Sequence, residues 1–221
     1  MSDITEPSGE PRGRVPRAVR EREMLDVAEA AFATEGFSAT TMDAVAEQSG
    51  VTKPMVYAYF GSKEGLFRAC MERGKRRLFA MVDQAADPEQ PPAIQLWKGI
   101  STFFEFVEVH RNSWTILFGE GTSTGGPFAD ESARLREEIA RLVTQLLGEA
   151  VTTAGKVGES RLQRLEPMAH ALTGACSSAA EWWIDQPDYD RETISWLLMN
   201  FAWMGFGDLV EGVVWRPPID E

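Results

Sequence analysis

The stretch from Thr40 to Lys63, TTMDAVAEQSGVTKPMVYAYFGSK, constrains the fold of this chain more than any other. Met42, Val45 and Ala46 recur on one helical face, and Ser49-Gly50-Val51 then breaks the period. Thr52 suits the cap of a second helix, and Pro54 falls in its first turn, where a missing N–H does no harm. Gly50 supplies a residue that tolerates positive φ, while Val51, Val56 and Phe60 lock the second helix onto the first. Ala46, then Gly50 four positions on and Val56 six after that, leave little freedom in how the two helices cross.

Two short helices around such a turn form a helix-turn-helix, whose second helix fits the major groove of DNA. Thr40-Thr41, Ala46, Gly50-Val51-Thr52, Val56-Tyr57, Tyr59-Phe60 and Ser62-Lys63-Glu64-Gly65-Leu66 resemble the signature of the TetR family of one-component transcriptional regulators. The likeness covers about the first quarter of the chain; the remainder matches only in length and helical pattern. It implies an all-α fold: a disordered arm at 1–16, a three-helix DNA-binding domain at 17–63, and a larger helical ligand-binding and dimerisation domain at 64–221. It also implies a dimeric repressor, released from a palindromic operator on double-stranded DNA by a small-molecule effector, which the aromatic residues and acidic body suggest is lipophilic or aromatic. An activator or a ligand-independent regulator of the same fold is the alternative, and a helical-bundle enzyme a remote one.

The reading surface follows from helical geometry. With Val56 and Phe60 turned inward, Pro54 and Ala58 point most directly outward, flanked by Met55 and Tyr57. Lys53 is the one long donor near the helix start and can reach guanine O6 and N7, whereas Pro54, Met55 and Ala58 offer only apolar contact. Few polar base contacts and substantial shape readout are therefore expected. The resemblance assigns phosphate contacts to the hydroxyls of Tyr57 and Tyr59. Thr41 and Lys63, at the starts of the flanking helices, are further phosphate candidates, and Thr52 completes the expected DNA-binding set. Arg12, Arg14, Arg17, Arg20 and Arg22 form either a solvated tail or a basic arm reaching the duplex.

A net charge of −12 looks wrong for such a role until it is divided. Residues 1–80 hold 12 Lys+Arg and 12 Asp+Glu, so the whole excess lies beyond them, where 10 basic residues face 22 acidic ones. A neutral head under an acidic body would orient the molecule and limit non-specific binding. The 221 residues give ample material for a core, and no run of about 18 apolar residues or apolar leader is present, so a cytoplasmic, membrane-free protein is expected. Cys70 and Cys176 sit in apolar helical patterns, which favours packing over a disulfide or zinc site, with a redox role left open.

Along the chain, a first helix is expected from Val19 to Glu35, with Gly36 as its stop and Phe37 packing back. Ser62 caps a fourth, from Lys63 to about Ala86. Gly74 within it is either a flex point or a close helix contact, and Arg73, Lys75, Arg76 and Arg77 read as a solvated face. After the connector at Asp87–Pro92, aromatic-rich helices follow at Ala93–His110 and Ser113–Phe118, either as core or as walls of a cavity. The candidate cavity residues are Phe103, Phe106, Val107, Trp114, Leu117, Leu142, Leu146 and Trp182, with His110 as a possible polar anchor. The loop Gly119–Pro127 lacks the Gly-Lys-Ser/Thr ending of a nucleotide loop. A long helix starts at Asp130 and stops near Gly155 and Gly158. Segments at about 167–184 and 191–212 are the two helices that the resemblance pairs with their symmetry mates in a homodimer. No enzyme, cofactor or metal is expected: two histidines, no supported nucleophile pairing, and Glu105, Glu108 and His110 at unconvincing metal spacing.

Overall fold

Met24, Leu25, Ala28, Ala31 and Phe32 are buried along one side of the first helix, as apolar residues three and four apart require. The computed structural model describes residues 16–119, 126–153 and 159–211, and among them every regular element is an α-helix. These are α1 (Arg17–Ala39), α2 (Met42–Gln48), α3 (Lys53–Phe60), α4 (Lys63–Ala85), α5 (Pro92–Val109), α6 (Arg111–Phe118), α7 (Ala129–Thr153), α8 (Glu159–Trp183) and α9 (Arg191–Glu211). The expected arm through residue 15, the centre of the 119–127 loop, and Gly155 and Gly158 lie outside the described residues.

α1 runs past its expected stop only in name. Gly36, at φ 80° and ψ 167°, breaks the helix and turns the chain, and Phe37 packs back at 6.0 Å from the Phe32 ring. α8 is the real departure. It begins at Glu159 and carries Pro167 inside, rather than starting there. Proline costs a helix one hydrogen bond and strains the preceding turn, but Pro167 is exposed and α8 packs along α7, so tertiary contact carries the helix through.

α1, α2, α3 and the first half of α4 enclose one small core around Val45, Val56, Leu66, Phe67 and Cys70. Phe128, just before α7, joins it: its ring lies 4.2 Å from Phe67 and 4.9 Å from Phe37. α5 to α9 form a larger helical body whose core holds Leu96, Ile100, Phe104, Phe106 and Val107. α4 spans both, and α6 packs against α1 and α4 at the junction. There Gly74 settles the open question of its role. A Cβ at that position would lie 3.2 Å from Ser113 Cβ and 3.3 Å from Leu117, so glycine permits close contact of α4 with α6.

The basic run of α4 is not the solvated face expected from the sequence; only Arg76 is exposed. Arg73 is buried and donates to Glu29 and Asp26, both at 2.7 Å. Arg77 donates to the other Glu29 oxygen at 2.9 Å and to Ser113 Oγ at 3.1 Å. Lys75 pairs with Glu138 of α7 at 2.6 Å. The period was read correctly but the neighbours were not visible: Glu29 lies 44 residues from Arg73 in sequence. The Glu29 carboxylate, 7% exposed, is thus shared by two guanidinium groups and joins α1 to α4, while Arg77 carries the link on to α6.

Removing one member of such a buried set strands the others without compensation. Glu29→Gln is expected to lower unfolding free energy in urea by about 3–5 kcal/mol. Asp26→Asn, which removes a carboxylate 57% exposed on the same Arg73, should cost less than about 1 kcal/mol.

Candidate nucleic-acid interface and effector cavity

Thr41 caps α2, its hydroxyl accepting from Ala44 N–H at 3.2 Å, and Asp43 follows in the first turn. Ser49 Oγ donates to Val45 O at 2.7 Å as the helix ends, Gly50 takes φ 64°, and Val51 N–H closes the turn on Ala46 O at 3.0 Å. Thr52 holds the N-cap position of α3 without a side-chain bond, and the Met55 N–H donates to its backbone carbonyl at 2.9 Å. Val56 is wholly buried in the head core, where α3 packs on α2 and α4, and this fixes the roll of α3. Gly61 ends α3 at φ 76°, and Ser62 caps α4 by accepting from Gly65 N–H at 3.1 Å. Gly65 has a further duty: a Cβ there would overlap the carbonyl oxygen of Phe60.

With α3 so rolled, Thr52, Lys53, Pro54, Tyr57 and Ala58 are exposed on one outer face, and Thr41 is exposed beside them. Met55 and Tyr59 are half-buried. The Arg20 guanidinium sits 3.7 Å from Met55 Sδ, and that of Arg17 lies 5.0 Å over the Tyr59 ring. Lys63 is turned inward: its ammonium donates to Ser38 O at 3.1 Å and Thr40 O at 2.9 Å, and lies 4.5 Å over the Phe37 ring. Lys53 is paired with Asp43 at 2.9 Å, and that hydrogen bond and charge raise its pKa. Sequence reading missed Asp43 and the carbonyl partners of Lys63. A first-turn carboxylate on α2 was a visible signal; its reach across the turn was not.

A second feature lies in the body. A cavity of about 110 Å³ is lined by Leu78, Phe79 and Val82 of α4, and by faces of α5, α7 and α8. Of the expected cavity residues, Phe103, Leu142 and Leu146 line it. The others do not. Phe106, Val107, Trp114 and Leu117 are buried where they fill space: Trp114 meets the Phe103 and Phe118 rings, and Leu117 abuts Gly74. Trp182 is largely exposed and stacks edge-on with Tyr189, while it is Trp183 that packs inward on Phe104. His110 is half-buried at the break between α5 and α6, where burial and then the nearby Arg77 charge lower its pKa. Gln95, Thr173, Cys176 and Ser177 supply the polar atoms of the lining. Thr173 already donates to Ala169 O, and burial pushes the Cys176 thiol up to about 12. Cys70, in the head core, is likewise raised by burial. Glu105 and Glu108 pair with Arg191 of α9.

Residues 24–70 match the family model of the bacterial regulatory proteins of the tetR family, and residues 92–205 that of tetracyclin repressor-like C-terminal domains. The chain belongs to the TetR family. Its fold is that of a TetR-like transcriptional regulator from Rhodococcus sp. RHA1, with a TM-score of 0.73 and 34% identity over 88% of this chain and 99% of that one. The transcriptional activator FasR of Mycolicibacterium smegmatis is 27% identical over 202 residues, 89% of this chain and 88% of its own. The transcriptional repressor SCO4008 of Streptomyces coelicolor is 30% identical over 131 residues, 59% and 64% of the respective chains. This TetR-family chain is therefore a DNA-binding transcriptional regulator with an N-terminal helix-turn-helix domain, and these relatives are regulators rather than enzymes. Among the described residues no helix is long and apolar enough to cross a membrane.

The turn glycine and a cavity glycine make opposite predictions. Gly50→Ala forces an L residue to φ 64° and should cost about 1–2 kcal/mol in unfolding free energy. Gly99→Ala, in the middle of α5 with nothing within 4 Å of the added Cβ, should instead stabilise by up to about 1 kcal/mol. Paired urea titrations of the two variants compare them directly.

Proposed function

We propose that the chain acts as a homodimeric repressor whose two α3 helices enter successive major grooves of a palindromic operator. The observation that carries this reading is the exposed face Thr52, Lys53, Pro54, Tyr57 and Ala58, held in one orientation by buried Val56. Residues 17–63 are the reading head and 64–221 the body, with α4 serving both. Lys53 reads a guanine edge, Pro54, Met55 and Ala58 meet apolar base edges, and Thr41, Thr52, Tyr57 and Tyr59 hold phosphates. Lys63 supports the head more than it reaches DNA, because its donors are committed to two α1-end carbonyls. Lys53→Ala is expected to relax selection at one G·C position at a cost of about 1–3 kcal/mol, read by sequencing duplexes recovered from a randomised pool.

The dimer is proposed through α8 and α9. α9 buries Ile194 and Ala202 against the body while Trp196, Leu197, Phe201, Trp203 and Met204 face outward. Phe201 and Met204, 70% and 78% exposed, put large apolar side chains side by side on this face, as interaction surfaces do. Small Ala171, Gly174 and Ser178 on the exposed side of α8 allow close helix approach. A single short helix contacts few base pairs, so reading a palindrome requires two heads at fixed spacing. Phe201→Glu with Met204→Glu should sediment as a monomer and lose operator binding together.

The effector is proposed to be lipophilic and to bind in the cavity below α4, where its lining carries no charged group. That composition argues against a cationic effector. Ligand contact with Leu78, Phe79 and Val82 of α4 would favour a different α4 position and so a head spacing that no longer fits. A hundredfold loss of operator affinity needs only about 2.7 kcal/mol of coupling. Phenylnaphthylamine, a neutral lipophilic fluorophore, should brighten on binding; Gly99→Trp, which fills the cavity from α5, should abolish the signal. The activator reading keeps its place because FasR, a relative aligned over most of both chains, is an activator. A promoter reporter with the regulator deleted separates the two: expression rises for a repressor and falls for an activator.

A further inference from the structure

The cations around α3 are not equally free to meet a phosphate. Lys63 is committed to Ser38 O and Thr40 O, Arg17 lies on the Tyr59 ring, and Arg20 sits against Met55. Lys53 stands exposed at the first position of α3, and the group facing it is Asp43, on the first turn of α2. Asp43 is itself exposed and has a second acidic residue, Glu47, one turn further along α2. Its carboxylate crosses the turn to the start of α3. Helix stability alone does not account for its direction, because the Ala44 N–H is capped by Thr41 and the Asp43 oxygen is turned across to the Lys53 ammonium.

We propose that Asp43 is a specificity-determining residue of the head, acting through Lys53 as a positioning partner. The inference rests on the reading that α3 enters the major groove. Bound to Asp43, Lys53 is part of a neutral pair and displaces no counterion from an arbitrary duplex. An exposed pair is weak, so a guanine edge presenting two acceptors in the right place can draw the ammonium across. An isolated phosphate offers no such paired acceptors and leaves the ammonium on Asp43. The pair thus lowers non-specific affinity more than specific affinity.

The test uses the full-length protein and two duplexes: one recovered by the unsubstituted protein from a randomised pool, and a scrambled duplex of the same composition. Asp43→Asn frees one cation for phosphate, so the slope of log affinity against log salt should steepen by about 0.9 on the scrambled duplex. Affinity for that duplex should rise about fourfold at roughly 0.2 M salt, and the ratio of specific to scrambled affinity should fall. In a Lys53→Met background the same Asp43→Asn change should have no such effect. An unchanged slope and ratio overturns the proposal, as does an Asp43→Asn effect that persists without Lys53, since Asp43 would then act on phosphate directly. If Lys53→Met alone alters neither duplex, the groove reading of α3 at Lys53 fails as well. Asp43→Ser, which retains a residue suited to a helix start, should reproduce the Asp43→Asn result; a mere weakening of α2 would instead reduce affinity for both duplexes in parallel.

Discussion

The carboxylate of Glu29 is the buried charge around which α1, α4 and α6 meet. It sits in α1, nearly out of water, between Arg73 and Arg77 of α4, and Arg77 reaches on to Ser113 of α6. A buried charged joint is not a cheap way to hold helices together, since desolvation offsets most of the attraction and an apolar joint often does as well. What it adds is direction. Guanidinium and carboxylate meet in few geometries, so α1 and α4 are held at a set rotation rather than merely in contact. Close packing of Ser113 and Leu117 over Gly74 adds the second constraint, allowing α6 to press on the same stretch of α4.

The head hung on this joint has little spare charge. Its cations are largely spent within the structure, on carbonyls, an aromatic ring, a thioether and a carboxylate. The remaining outer face of α3 is short, partly apolar and close to neutral. A surface of that kind gains little from phosphate attraction and depends on fit to the groove, which suits a regulator that must leave most DNA alone. The acidic excess of the body lies entirely beyond residue 80, away from this face.

The body divides its apolar residues between filling and enclosing. Phe106, Trp114 and Leu117 fill the end next to the head, giving α6 a rigid seat. Phe103, Leu142 and Leu146 enclose space at the other end, under the second half of α4. Both groups share one helical period, and on α5 they stand one turn apart. The cavity lies against the distal half of α4, and the ion cluster holds the middle of that helix at Arg73 and Arg77.

What the sequence determined by itself is what neighbours along the chain decide. Gly36, Gly50 and Gly61 are turns because positive φ is needed there, and Thr41 and Ser62 cap helices because their hydroxyls lie three residues from the N–H they accept. The apolar stripe of α1, the buried Val56 and the exposed face of α3 follow from a period of 3.6 alone. Only the tertiary structure decided the partners of the long charged side chains. Arg77 and Glu29 are 48 residues apart, Lys63 reaches carbonyls 23 and 25 residues back, and Lys53 crosses a turn to Asp43. It decided equally that α8 runs through Pro167 and that some aromatic residues wall a cavity where others plug one. Periodicity tells which side of a helix turns inward; what it meets there depends on the crossing of helices distant in sequence.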